Sequence, residues 1–172
     1  VELIEDGAAG LKRARTAAKR AASEGTLVEP DRILAPIPRP RVMLYMGINF
    51  KSHGDELSAD MPPPPSVPLF FSKLASAVIG PGEPIVIPTA ETQADYEVEL
   101  ACVIGRTARR VKAADAYGHV FGWTVTHDVS ARDVQFTENQ LTLGKGPDTF
   151  APLGPEIVTA DEIRDPAGLQ LA

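Results

Sequence analysis

Proline and glycine interrupt this chain so often after residue 28 that neither a long helix nor a long central strand can run through it. Proline fixes φ and carries no N–H, so it breaks helix interiors and is excluded from the middle of sheets. The 16 prolines and 14 glycines leave short strand-like runs at 70–71, 85–87, 96–104 and 120–126. Short helices are expected at 113–119 and 130–141. Residues 42–47 (Val-Met-Leu-Tyr-Met-Gly) predict a buried strand ending in a turn. The expected fold is mixed and mostly β, with short helices.

The exception is the beginning. Residues 1–25 are rich in Ala, Lys and Arg, all good helix formers. Lys12, Arg13, Arg15, Lys19 and Arg20 form a charge run that reads as a solvated helix face. Pro30, Pro36, Pro38 and Pro40 then impose an extended connector. Residues 1–38 are therefore expected to be a helix and Pro-rich connector left from a small N-terminal domain, and 39–172 a separate domain. Glu56 to Val67 holds four consecutive prolines, Pro62 to Pro65; it is expected to be a surface loop or a lid.

With 172 residues the chain can bury a core without disulfides. Its net charge of -6 excludes a basic footprint for nucleic acid. No apolar run approaches the ~20 residues that span a bilayer, so no membrane partner is expected. The single cysteine, Cys102, fits a reducing compartment, and a cytoplasmic location is expected.

Four segments carry candidate chemistry. In Asp95-Tyr96-Glu97-Val98-Glu99-Leu100-Ala101-Cys102, a strand would put Glu97 and Glu99 on one face, with Cα atoms about 6.5–7 Å apart. Two carboxylates so placed suit a hard divalent cation between them, or simply a solvated polar face. In His127-Asp128-Val129-Ser130-Ala131-Arg132-Asp133-Val134-Gln135, Asp128 would stand between a strand end and a helix start, as a site residue or as a cap. Arg132 and Gln135 would share a helix face and could read a carboxylate or carbonyl. His53 and Glu56 would be neighbours on a helical turn, and a His oriented by a carboxylate is a usable base near neutral pH. Lys145, flanked by Gly144 and Gly146, could stabilise an enolate or carboxylate, or be an exposed lysine in a tight turn.

In this order the segments resemble the fumarylacetoacetate hydrolase family. The match is carried by Leu34-Ala35-Pro36-Ile37-Pro38, Gly47-x-Asn49-Phe50-x-x-His53-x-x-Glu56, Pro68-Leu69-Phe70-Phe71-Ser72-Lys73 and Asp95 to Leu100. It continues through Asp128 to Gln135, Gly144-Lys145-Gly146 and Pro152-Leu153-Gly154-Pro155. The resemblance implies a β-roll fold, of which the chain would hold the N-terminal part and lack the C-terminal part. It implies Mg²⁺ or Mn²⁺ held by Glu97, Glu99 and Asp128, a catalytic His53–Glu56 pair, a catalytic Lys145, and substrate contacts from Arg132 and Gln135. Lys73 lies in a family motif without an assigned role. Phe50 and His127 depart mildly from the family pattern.

The implied activity is metal-dependent hydrolysis of a C–C bond in a small 2,4-dioxo acid, through an enolate held on the metal. Decarboxylation or isomerisation of a 2-oxo acid or diacid fits the same residues. A rival of another class is a non-catalytic metal-binding or assembly subunit. A small 2-oxo acid is the expected partner, and a homodimer the expected assembly.

Overall fold

The alanine-rich opening is helical as expected, in two pieces: α1 (Glu2–Glu5) and α2 (Gly7–Glu24). They part where Gly7 takes a positive φ of 55°, which a side chain would resist. Gly25 closes α2 in the left-handed conformation, and its N–H meets the carbonyls of Ala21 and Ala22. The Arg15–Asp161 pair, 2.9 Å apart and exposed, ties α2 to the far end of the fold. Such pairs contribute little to stability. The structure, a computed structural model, describes residues 2–50, 66–137 and 140–171, apart from the Phe136 side chain. His53, Glu56 and all but Ser66 and Val67 of the Pro-rich stretch lie outside the described residues.

The remainder is mixed and mostly β, with short helices. β1 (Leu44–Gly47) pairs antiparallel with β2 (Leu69–Ser72). The four-stranded sheet has the order β3-β8-β6-β5, formed by Val78–Ile79, Ala151–Thr159, Val120–His127 and Val98–Ile104. β3 runs parallel to β8; the other pairings are antiparallel. The short pair β4 (Ala94–Asp95) and β7 (Ser130–Ala131) continues the β5–β6 ladder past a bend. Two short helices follow, α3 (Arg132–Thr137) and α4 (Leu141–Lys145).

Two expectations need correction. Only Tyr45 of the first strand is buried, whereas Val42 and Leu44 are exposed, so this strand is an edge ribbon. Residues 85–87 form no strand, and the Val86 N–H is taken by the Thr149 hydroxyl. The Pro152-Leu153-Gly154-Pro155 motif lies inside β8, a nine-residue strand of this sheet. Proline is tolerated there because the β6–β8 register breaks beside it. Trp123 pairs with Val158, but Val125 pairs with Gly154, so residues 155–157 bulge opposite Thr124.

The buried core centres on Val129, Ala131 and Phe150, with Ile85 and Val134 against it. Tyr45 and Phe71 stack with ring centroids 5.7 Å apart. The Tyr45 hydroxyl shares a 2.8 Å hydrogen bond with Thr126, whose hydroxyl also lies 3.0 Å from the Pro152 carbonyl oxygen. This chain of contacts ties β1 across β6 to β8. Burial pushes the Tyr45 pKa up to about 12, so it stays a neutral hydrogen-bonding group.

Gly122 is where the sheet is tightest. A Cβ there would meet the Val158 carbonyl oxygen at 2.3 Å and Ile157 Cγ2 at 2.7 Å. The first is a backbone atom of the paired strand and cannot move without disturbing the ladder. Gly122→Ala is therefore expected to destabilise the full-length protein by about 1–3 kcal/mol, the usual cost of overpacking. Urea denaturation followed by Trp123 fluorescence measures it; an unchanged midpoint would contradict the register.

Candidate active site

Strand pairing brings the candidate residues together. On β5–β6, Val98 pairs with His127 and Glu99 with Thr126. The Asp128 N–H then donates to the Glu97 carbonyl at 2.8 Å, and the Arg132 N–H to the Gln93 carbonyl at 2.9 Å. Glu97 and Glu99 thus lie alongside Asp128, at the point where β6 bends into β7.

The polarity of β5 runs opposite to that of a half-exposed surface strand. Tyr96, Val98 and Ile104 are exposed, while Glu97 and Glu99 are partly covered and Val103 is buried. The glutamates therefore belong to an inner face, not to the solvated face that the bland reading of Glu-x-Glu required.

Two lysines hold Asp128 from opposite sides. Lys73 Nζ lies 2.7 Å from Oδ1 and Lys145 Nζ 2.8 Å from Oδ2. Lys145 also reaches Glu97 Oε2 at 2.9 Å, so one ammonium bridges two carboxylates. α4 brings Lys145 there by close packing: a Cβ on Gly144 would meet the Gln135 nitrogen at 2.9 Å and the Ala131 carbonyl at 3.0 Å. Lys145 is buried, which excludes its reading as an exposed lysine in a turn. Arg132 supports Glu97 from the other side, with Nη2 at 2.6 Å from Oε1. Its Nε and Nη2 also donate to Asp95 Oδ2, and Nη1 donates to Gln135 Oε1 at 2.8 Å. Four of the five Arg132 N–H groups are thus engaged within the protein, and among the described residues the second Nη1 N–H and the Gln135 NH₂ remain able to donate outward.

Electrostatics separate the two glutamates. Burial would raise the Glu97 pKa, but Lys145 and Arg132 outweigh it and hold the carboxylate below its usual range. Burial, with Asp128 and Glu97 adding repulsion, pushes Glu99 up to about 7. Burial also lowers Lys73 to about 8, against the pull of Asp128. Among the described residues, no three His, Cys, Asp or Glu side chains stand close enough together to be read as a metal site. Glu97 and Asp128 share the Lys145 ammonium, with Glu99 within electrostatic reach. The chemistry of the set nevertheless suits a hard cation. All three are oxygen donors, and among the described residues Glu99 has no ion-pair partner.

Sequence reasoning left Lys73 and Asp95 without a role. Lys73 carried a usable signal: it is two residues after the buried Phe71, hence on the inner side of the same extended segment. Asp95 reads as an ordinary strand-flanking acid until its arginine is placed.

The family model described as "Fumarylacetoacetate (FAA) hydrolase C-terminal" matches residues 43–172. The chain belongs to the fumarylacetoacetate hydrolase family. It is 43% identical over 173 residues to the mitochondrial oxaloacetate tautomerase FAHD2A of Homo sapiens, covering 99% of this chain and 54% of that protein. A 2-hydroxyhepta-2,4-diene-1,7-dioate isomerase from Mycobacterium marinum is 40% identical, with a TM-score of 0.63 over 74% of this chain and 45% of its own. A maleylpyruvate hydrolase from Sphingobium, solved with manganese(II) and pyruvate, is 30% identical, with a TM-score of 0.73 over 96% of this chain and 55% of its own. The chain therefore spans about half the length of these family members, which are named as a tautomerase, an isomerase and a hydrolase.

The raised Glu99 pKa has a stability consequence. Between the ordinary carboxylate value of 4.5 and about 7, folded Glu99 keeps a proton that the unfolded chain has released. Its contribution is full below 4.5 and is lost as pH rises through about 7. With chelator present, the full-length protein should lose stability across this window, and Glu99→Gln should flatten that part of the profile. Thermal midpoints measured from pH 4.5 to 8 test this; parallel profiles for both proteins would reject it.

Proposed function

We propose that the chain forms the divalent-metal centre of an enzyme that processes a small 2-oxo acid through its enolate, with keto–enol tautomerisation as the first reading. The observation that carries it is the partly buried cluster in which Glu97, Glu99 and Asp128 gather around Lys145. Glu97, Glu99 and Asp128 would hold Mg²⁺ or Mn²⁺. When bound, such an ion supplies Lewis acidity and a template for the keto and carboxylate oxygens.

The chain's own residues supply the rest. Lys145 spends two contacts on Glu97 and Asp128, and its third N–H can stabilise negative charge on the substrate's C2 oxygen. His53, oriented by Glu56, would take a proton from C3. The electron pair left behind forms the C2–C3 double bond, and the C2 oxygen accepts a proton to complete the enol; the reverse sequence returns the ketone. Arg132 keeps Glu97 ionised and in place, and Gln135 can donate to a substrate oxygen. Tautomerisation is preferred because relatives about 43% identical are named oxaloacetate tautomerase.

C–C hydrolysis of a 2,4-dioxo acid is the second reading, supported by the likeness to maleylpyruvate hydrolase. There His53 would deprotonate a water that attacks the C4 carbonyl, and cleavage would leave the 2-oxo acid as its enolate. Homodimerisation belongs to the same proposal. The non-catalytic reading predicts metal binding without turnover.

Isothermal titration of Mn²⁺ into the full-length protein and Glu99→Ala tests the ligand set: the variant should bind at least tenfold more weakly, and equal affinity would reject it. Ketonisation of enol-oxaloacetate, followed by loss of enol absorbance, and cleavage of an acylpyruvate distinguish the reactions. His53→Ala should lower kcat by about 10²–10⁴-fold while keeping Mn²⁺ affinity. Activity within threefold of wild type would exclude a base role.

A further inference from the structure

We propose that Lys73 is a positioning residue for Asp128, fixing the carboxylate from behind so that Oδ2 alone faces the site. The inference rests on the metal-centre reading above. Lys73 has a fully buried side chain, with three oxygens around its ammonium: Asp128 Oδ1 at 2.7 Å, Val129 O at 2.8 Å and Phe150 O at 2.6 Å. Two of its N–H groups donate to the carbonyls and its charge is paired with Oδ1, so the buried ammonium is enclosed by protein oxygens. Lys145, by contrast, bridges two carboxylates and keeps one N–H. The two lysines thus divide the Asp128 carboxylate between them, one oxygen each, and only Lys145 can serve chemistry.

The anchors of Lys73 explain its placement. Val129 is the residue after Asp128, and Phe150 is the wholly buried residue that opens into β8. Lys73 therefore ties the bend after β6, the start of β8 and the Asp128 side chain to one point. The Tyr45 ring, with its centroid 5.4 Å from Nζ, closes a further side. Among the described residues, Lys73 is the cation paired with Oδ1. Without it, the carboxylate could turn about its Cβ–Cγ bond and present a different oxygen.

The rival is a purely structural tie through the two carbonyls. Lys73→Met, Asp128→Asn and the double variant separate the two in the full-length protein. Electron paramagnetic resonance of free and bound Mn²⁺, near-ultraviolet circular dichroism and thermal melting are the readouts. Positioning predicts that folded Lys73→Met binds Mn²⁺ at least about tenfold more weakly, as when a partner that orients a metal ligand is lost. The line shape of its bound Mn²⁺ should also change. Simple Coulomb reasoning predicts the opposite, since removing a nearby positive charge tightens cation binding. A folded variant with wild-type or tighter affinity overturns the proposal. If Lys73→Met does not fold, the double variant decides. Positioning predicts that it folds and melts above either single variant, because neither charge is left bare; failure to do so overturns the proposal. Lack of Mn²⁺ binding by wild type would overturn the metal-centre reading itself, before any variant is compared.

Discussion

The Asp128 carboxylate sits in the interior between two lysine ammoniums, and the arrangement around it follows from neutralising that charge. A carboxylate taken out of water is tolerated only if paired and hydrogen-bonded. Here the pairing draws on four separated segments: Lys73 beyond β2, Glu97 before β5, Asp128 after β6, and Lys145 at the end of α4. Removing one partner of such a cluster leaves a bare charge inside, at a typical cost of about 3–5 kcal/mol. The cluster thus brings together elements distant in the chain, and the price is a demand for charge balance. Arg132 and Asp95 extend the network outward and keep Glu97 ionised.

Glu99 is the member left over. It lies nearest two other carboxylates, and Lys145 offsets them only partly. A second proton or a cation relieves the same repulsion, so protons and metal compete for this residue. That competition links the pH dependence of folding to the proposed ligand set. Glu97 differs from it through its contacts with Lys145 and Arg132.

Much of this was legible in the sequence, and the limits have physical causes. The Glu-x-Glu spacing and the position of Asp128 at a strand end follow from strand periodicity, and the structure sets these residues side by side. The direction of the strand's faces does not follow. An apolar row of Tyr96, Val98 and Ile104 reads as the core side, yet it is exposed in this chain. Charge pairing, supplied by residues distant in sequence, decides which face turns inward. β8 escaped notice because Pro152, Gly154 and Pro155 are turn residues by propensity, and only the bulge against β6 makes room for them. Residues 85–87 have strand composition, but Thr149 rather than a neighbouring strand takes the Val86 N–H. His53 and Glu56 rest on their motif.

Register is the remaining constraint on the site. Side chains alternate along a strand, so a slip of one residue between β5 and β6 would turn Glu97 and Glu99 outward and send Val98 toward Asp128. The charge cluster alone cannot exclude this, because long lysine side chains can follow a shifted carboxylate. Backbone features do exclude it. Phe121 is skipped where Val103 pairs with Gly122 and Ile104 with Val120, so the ladder carries a bulge at a fixed position. On its other edge β6 meets the bulge of β8, and Gly122 admits the Val158 carbonyl where no side chain would fit. A bulge on each side cannot slide without opening both ladders. The Tyr45–Thr126–Pro152 hydrogen bonds fix the same stretch crosswise, one residue from the Glu99 pairing partner's neighbour His127. The precision of the charged site is therefore set by irregularities in the sheet, at residues whose own side chains take no part in the proposed chemistry.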